Sequence, residues 1–441
     1  MQRRSFLKMA AATGLLSSTG CRTLKDDLVF PSRKGPYMAT YKDGPIQNVR
    51  VGIIGLGKRG TTITHRLASI PGVDVRALCD LHEDRAVRAG QQLTAAGKNK
   101  PTIHAGTKNA WRTLCEMRDL DLIYVCTPWL LHTPMAVYAM QCEKHVAVEM
   151  PAAVTLEQCW QLVDTSESAQ RHCILLDSSA YGENELLAEM LCSKHELGQI
   201  LYGEVSFIHD VYDRNAQFPD TAPIEDRWLQ MWALSHKGNS FPYGVAPAYR
   251  MMRINRGDRF DILTSTSAAQ SVSKTGRNIA KGEGAQIPGD MTITTLRSYR
   301  GKTLVIQLDT MSARPEERTC LISGEKGSIS TQPLKIAKII KASSQWLPEA
   351  EVTQLATRYV HPLWTENKEL LHGAPMKETM DILMHHRIMH CLQRGRVMDS
   401  NVYEAATVSA IVELSEQSVS RHGKPVRMPD FTRGGWTLGA E

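Results

Sequence analysis

The first half of the chain carries short, continuous apolar runs: Val51 to Ile54, Val73 to Asp80 (VDVRALCD), Leu120 to Thr127 (LDLIYVCT), Val146 to Glu149 within KHVAVEMP, and Cys173 to Leu176. Between some of them lie stretches of helical spacing, Met135 to Gln141 and Leu156 to Ala169. Runs of this length, each ending in a turn, predict parallel strands buried on both faces by helices. From Ile200 the pattern changes. ILYGEVSFIHD, FDILTSTSAA, DMTITTLRSY, TLVIQLDTM and RTCLISG alternate or run apolar between turns such as Arg300-Gly301 and Gly324-Glu325-Lys326-Gly327. They predict a mostly antiparallel sheet with one face on helices and the other available as a substrate floor. Helical segments over Lys377 to Gln393 and Tyr403 to Ser420 follow, and then an extended tail from Pro425 to Trp436.

The first apolar run feeds directly into Gly55-x-Gly57-x-x-Gly60. Glycines at this spacing allow a tight turn into a helix whose first amides face a pyrophosphate. The second run ends in Asp80, at the spacing of about 20 residues where a carboxylate meets the adenosine ribose hydroxyls. That carboxylate repels a 2′-phosphate, so NAD is expected rather than NADP. The fold class is therefore α/β: a Rossmann dinucleotide-binding domain over 49–177, then an α+β domain with a mostly antiparallel sheet over 178–441. Loops at the carboxyl ends of such strands face the nucleotide crevice. They nominate Gly55, Gly57, Lys58, Arg59, Gly60, Asp80, Thr127, Pro128, Trp129, His132, Glu149, Met150 and Ser178 as cofactor-binding. Trp129 and His132 also read as a packed tryptophan and a surface histidine.

At 441 residues, with 42% apolar and 22% charged positions, the chain is long enough for two domains and a large core. A net charge of +6 is small for this length, and no basic stretch is interleaved with aromatics, so nucleic acid is excluded as a partner. The ten cysteines form no CxxC pair or zinc-like cluster, so no metal is expected and buried free thiols are.

Residues 1–21 stand apart. Arg3-Arg4-Ser5-Phe6-Leu7-Lys8 followed by the apolar stretch Met9 to Leu16 resembles a twin-arginine export signal. Ser18-Thr19-Gly20-Cys21 resembles a lipoprotein processing site, which implies membrane attachment through a lipidated Cys21; an ordinary cleaved signal is the alternative. A periplasmic or membrane-anchored location follows as the expectation. Residues 22–48, with scattered Pro, Gly and Lys, read as a tether or surface wrap.

The series GLGKRG, CTPWLLH, KHVAVEMPAA and HCILLDSSAYGENE resembles the Gfo/Idh/MocA superfamily of sugar-handling oxidoreductases. Within it the chain is similar to glycoside hydrolase family 109, the NAD-dependent α-N-acetylgalactosaminidases. Those enzymes have Glu-Val-Pro where most relatives carry Glu-Lys-Pro; this chain has Glu149-Met150-Pro151. The likeness continues through IHD (208–210), INRGDRFD (254–261), ARP (313–315), SGEKG (323–327), HPLW (361–364), LSEQS (414–418) and PDFTRGGW (429–436). The chain departs from the family where the sugar is held. Phe241-Pro242-Tyr243-Gly244 replaces Tyr-Pro-Thr-His-Gly, Leu229 follows Trp228 in place of an arginine, and Glu316 replaces a tyrosine. Lys377-Glu378-Thr379 precedes Met380-Asp381 where the family has His-Gly-Gly.

The resemblance implies a glycosidase working by oxidation at C3, elimination, addition of water and reduction, with NAD unchanged at the end. A base near C2 and an acid near the leaving oxygen are then required. Tyr181, His209 and Tyr243 are the catalytic candidates, with Glu149 and Asp210 beside them; Phe207, Asp210, Phe241, Tyr243 and Glu316 are the substrate-binding ones. The bland readings are a core histidine at 209, a packing tyrosine at 243, a turn-stabilising Asp210, and an ion-paired loop for Arg256, Asp258 and Arg259. A carbohydrate or glycoconjugate is the implied partner, and a homo-oligomer is compatible with the sequence. The alternatives are an NAD-dependent sugar dehydrogenase and a glycan-binding relative without turnover.

Overall fold

The protein's structure, a computed structural model, describes residues 32–208, 244–268, 291–309, 314–340 and 343–439. The apolar runs form a parallel sheet of β1 (Val49–Ile54), β2 (Val73–Asp80), β3 (Thr102–Ala105), β4 (Leu122–Val125), β5 (His145–Glu149) and β6 (Cys173–Leu176). Its order is β3-β2-β1-β4-β5-β6, so the chain reverses direction across the sheet between β1 and β4. β3 went unread in the sequence because TIHA is short and half-exposed. Helices α1 (Lys58–Ser69), α2 (Glu83–Ala95), α3 (Ala110–Cys115), α4 (Trp129–Gln141) and α5 (Leu156–Ala169) connect the strands. Helix α4 starts at Trp129, ahead of the expected Met135, because Pro128 stands at its N-cap with φ −58° and initiates the turn.

After a 3-10 turn, Ser178–Tyr181, come α6 (Glu183–Ser193), β7 (Ile200–Ile208) and α7 (Val245–Met251). The second sheet then adds β8 (Phe260–Ser267), β9 (Met291–Ser298), β10 (Thr303–Asp309), β11 (Cys320–Gly324), β12 (Gly327–Thr331), β13 (Leu334–Ile340) and β14 (Ser343–Trp346). Its order among the described residues is β14-β13-β12-β11-β7-β10-β9-β8-β15, where β15 is Val426–Arg427. The pairings are antiparallel except β7 with β10, so the mostly antiparallel sheet read from alternation is what forms. The expected turn at 324–327 joins β11 to β12.

Three further helices matter to the site and its support: α8 (Glu349–Arg358), α9 (Met376–Arg394) and α10 (Val402–Ser420). Helix α10 is buried on nearly every side, as an apolar helix must be when it packs between β8 and α5. Asn401 caps it, accepting from the Tyr403 amide, while Glu404 accepts from the Asn401 amide. Helix α9 lies on β1, α1 and the 178–181 turn, and ends at Gly395 with φ 57°. Residues 33–48 wrap the body: the Tyr37 hydroxyl donates to the Asn255 carbonyl (3.0 Å), and Asp43 pairs with His145 (3.2 Å). Arg256, Asp258 and Arg259 form the ion-paired loop, with Arg256 on Glu404 and Lys302 on Asp258.

Candidate active site

All six strands of the first sheet run the same way, so Gly55, Asp80, Thr127, Glu149 and Asp177 gather at one edge. Gly55 has φ 93°, a conformation open to glycine and strained for other residues. Gly57 is the N-cap of α1, with no side chain capping the helix, and a Cβ there would meet nothing within 4 Å. A helix N-terminus with uncapped amides and an unfilled cradle in front of it suits a diphosphate. Gly60 differs, since it packs inward on the Gly55 carbonyl. Asp80 is buried at the end of β2; its carboxylate accepts from the Leu56 amide (2.6 Å) and the His82 amide (2.8 Å). It therefore shapes the glycine turn directly. These residues fit a dinucleotide.

Several nominated residues have structural partners of their own. The His132 ring is buried, with Nε2 2.6 Å from the Thr127 carbonyl oxygen and Nδ1 2.7 Å from that of Pro151. It ties two strand-end loops together from beneath rather than lining the crevice. Trp129 is also buried, in the first turn of α4, and Met150 is buried before the cis Met150–Pro151 bond. Pro128 caps α4, and Thr127 Oγ1 lies 3.6 Å from Met135 Sδ. Lys58 is exposed and Ser178 half-buried.

Tyr181 is corrected most sharply. Its hydroxyl donates to Asp399 (3.4 Å), Arg250 lies over its ring, and burial followed by the Asp399 charge drives its pKa well above the ordinary value. A base for C2 needs the opposite shift. His209, Asp210, Phe241 and Tyr243 lie outside the described residues, as do Trp228 and Leu229. Phe207 is buried at the end of β7 with the Arg318 guanidinium 5.2 Å from its ring centre, and Glu316 stands 3.5 Å from the same arginine.

Three residues that sequence reasoning did not nominate join the site. Arg318 joins Phe207 to Glu316, and no local signal marks it. Asp177, at the exit of β6, is buried and accepts from Ser179 and the Ala246 amide; burial raises its carboxyl above the ordinary value. Asp381 of α9 receives both terminal nitrogens of Arg59, at 2.9 and 2.6 Å, while Arg59 Nε donates to Glu149 (2.6 Å). The Met380-Asp381 dipeptide, shared with family 109, was the available signal for it. A separate groove of about 710 Å³, lined by Arg50, Asp74, Arg76 and Asp121 among others, opens at the amino ends of the strands. That is the wrong edge for the nucleotide.

Among known proteins, residues 49–176 match an oxidoreductase family with an NAD-binding Rossmann fold, and residues 181–438 match the glycosyl hydrolase 109 C-terminal domain. An alpha-N-acetylgalactosaminidase of Bacteroides fragilis is 36% identical over 404 residues, covering 89% of this chain and 94% of that protein. A glycosyl hydrolase family 109 protein of a Shewanella species is 33% identical, covering 99% and 97%. A levoglucosan dehydrogenase solved with NADH and L-sorbose superposes with TM-score 0.65 at 17% identity, covering 87% of this chain and all of that one; this likeness speaks for the fold. The first domain is thus an NAD-binding Rossmann domain, and the chain belongs to glycosyl hydrolase family 109.

Proposed function

We propose that the protein is an NAD-dependent glycosidase that acts on a glycan other than, or besides, terminal α-N-acetylgalactosamine. The observation that carries this reading is the open face at Gly57, at the uncapped start of α1, in a chain whose remainder matches the family 109 C-terminal domain. When bound, NAD supplies reversible oxidation of a sugar ring hydroxyl, which makes the neighbouring C–H acidic. The chain's part is to hold the dinucleotide against the α1 amides, with Asp80 at the ribose end and Arg59 and Glu149 across the crevice. Proton removal at C2 and donation to the leaving oxygen fall to His209 and Tyr243 as the remaining candidates, Tyr243 standing in a loop where the chain departs from the family, because the Tyr181 hydroxyl is turned to Asp399.

The altered sugar is argued from Glu316. Where the family has a tyrosine, this chain sets a carboxylate beside Arg318, exchanging a neutral hydroxyl for an ion pair. A site built to hydrogen-bond one substrate rejects analogues by factors of about 10⁴. The Arg3-Arg4 segment supports export of the folded, loaded protein by the twin-arginine route. Replacing both arginines with lysine and fractionating cells tests that part, since retention in the cytoplasm is expected.

The test of activity is a panel of aryl glycosides and natural glycans offered to protein loaded with NAD. Release of aglycone without net NADH is expected. NADH formed in step with a ketosugar would replace the reading with a dehydrogenase. Tight glycan binding with no turnover would replace it with a lectin-like relative.

A further inference from the structure

Arg59 follows the fingerprint turn after β1, and Glu149 ends β5; β4 lies between these two strands. The 2.6 Å bond from Arg59 Nε to Glu149 Oε1 therefore passes over the carboxyl end of β4, across the point where the sheet reverses. That is where a nucleotide enters an open α/β sheet. The other end of the guanidinium is fixed from a different domain. Both of its Nη atoms bond Asp381, which is buried in α9 and lies 322 residues away in the chain.

Asp381 is itself held. Arg66, about two helical turns beyond Arg59 on the same face of α1, contacts its carboxylate, and His385 Nε2 lies 3.6 Å from it, one helical turn along α9. His385 is wholly buried, with Nδ1 3.1 Å from the Tyr124 hydroxyl in the middle of β4. If Tyr124 donates to Nδ1, the remaining ring proton sits on Nε2 and faces Asp381. A carboxylate so surrounded stays in place, and the rigid guanidinium fork meets it with two parallel bonds. The Arg59 side chain keeps 38% of its surface exposed, against 4% for Asp381. One partner faces the crevice and the other is buried in the support.

We infer that Asp381 is a positioning residue for the cofactor: acting only through Arg59, it sets the cationic bar that the dinucleotide meets, so the sugar-side domain tunes NAD affinity. This rests on the dinucleotide reading of the crevice. An arginine free to swing into solvent would have to be ordered on binding, and that entropy would be lost from affinity.

The test is a double-mutant cycle on NADH affinity, read by the fluorescence of NADH itself. Asp381→Asn and Arg59→Gln each raise the Kd roughly tenfold, as expected for loss of one charge-assisted fork. The double variant binds no more weakly than Arg59→Gln alone. A scaffolding role for Asp381 would instead make the two losses multiply, and that result, or wild-type affinity in Asp381→Asn, overturns the inference. Should Asp381→Asn fail to fold, Arg59→Lys decides: it keeps the charge without the fork, so a loss is expected and wild-type affinity refutes. Wild-type protein that binds no NADH would remove the dinucleotide reading itself, a failure separate from the other two.

Discussion

A Cβ placed on Gly60 would stand 1.8 Å from the carbonyl oxygen of Gly55, whereas one placed on Gly57 would meet nothing within 4 Å. The two glycines of one fingerprint thus serve different ends, Gly60 close packing of helix on strand and Gly57 space for a ligand. Gly60→Ala is expected to destabilise the fold by about 2 kcal/mol through forced backbone movement. Gly57→Ala, at φ −66°, leaves the melting temperature unchanged and weakens NADH binding. Thermal melts beside fluorescence titrations of both variants check this.

Acid should destabilise the protein well above the carboxylate range. Burial lowers the imidazoles of His172 and His385 from 6.5 to about 3. The unfolded chain takes up these protons below pH 6.5 while the native protein refuses them until about 3, so stability falls as pH drops across that window. Asp43 adds a later loss. The hydrogen bond with His145, its largest influence, helps hold its carboxyl down at about 2, so its stabilisation is complete above the ordinary 3.8 and disappears as pH falls through 2. Melting temperatures from pH 7 to 4.5 should decline, and less steeply in His385→Gln.

The tail is expected to be integral to stability. Arg433 is buried against Glu167 (2.7 Å) and Asp164, with its guanidinium 4.9 Å from the centre of the Trp160 ring. Glu167 also accepts from the Tyr403 hydroxyl and the Lys34 amide, so it cannot easily turn out to water. Arg433→Met leaves that carboxylate buried and short of a cation, at a cost of about 3 kcal/mol. Urea unfolding measures the loss.

Tyr181→Phe should cost about 1 kcal/mol of stability, from the hydrogen bond lost at Asp399, and leave turnover within a few-fold of the wild type. A collapse of kcat with unchanged stability would restore Tyr181 to the catalytic role.

Much of the architecture was legible because it is written locally. Val51 to Gly60 declares a strand, a turn and a helix within ten residues, and alternation from Ile200 onward declares the second sheet. Spacing put Asp80 at the end of the second strand, where it stands, though its bonds to the Leu56 and His82 amides were not legible. TIHA escaped notice as β3 because four half-exposed residues carry little period. His132 and Tyr181 were placed at the right strand ends and given the wrong surroundings, since a strand-end position does not say which way a side chain turns.

By itself the sequence determined the nucleotide-binding turn, the two kinds of sheet and the family, because glycine spacing, hydrophobic period and motif order are properties of neighbouring residues. Only the tertiary structure decided that Arg59 belongs to Asp381 and Glu149, Tyr181 to Asp399, and Phe207 to Arg318. Two of these pairings join residues more than 200 positions apart, and even Arg318 reaches Phe207 of β7 from the segment just before β11, the strand that pairs with β7. Which charge meets which is settled by the packing of α9 and the second sheet on the first domain, and no local pattern carries that information.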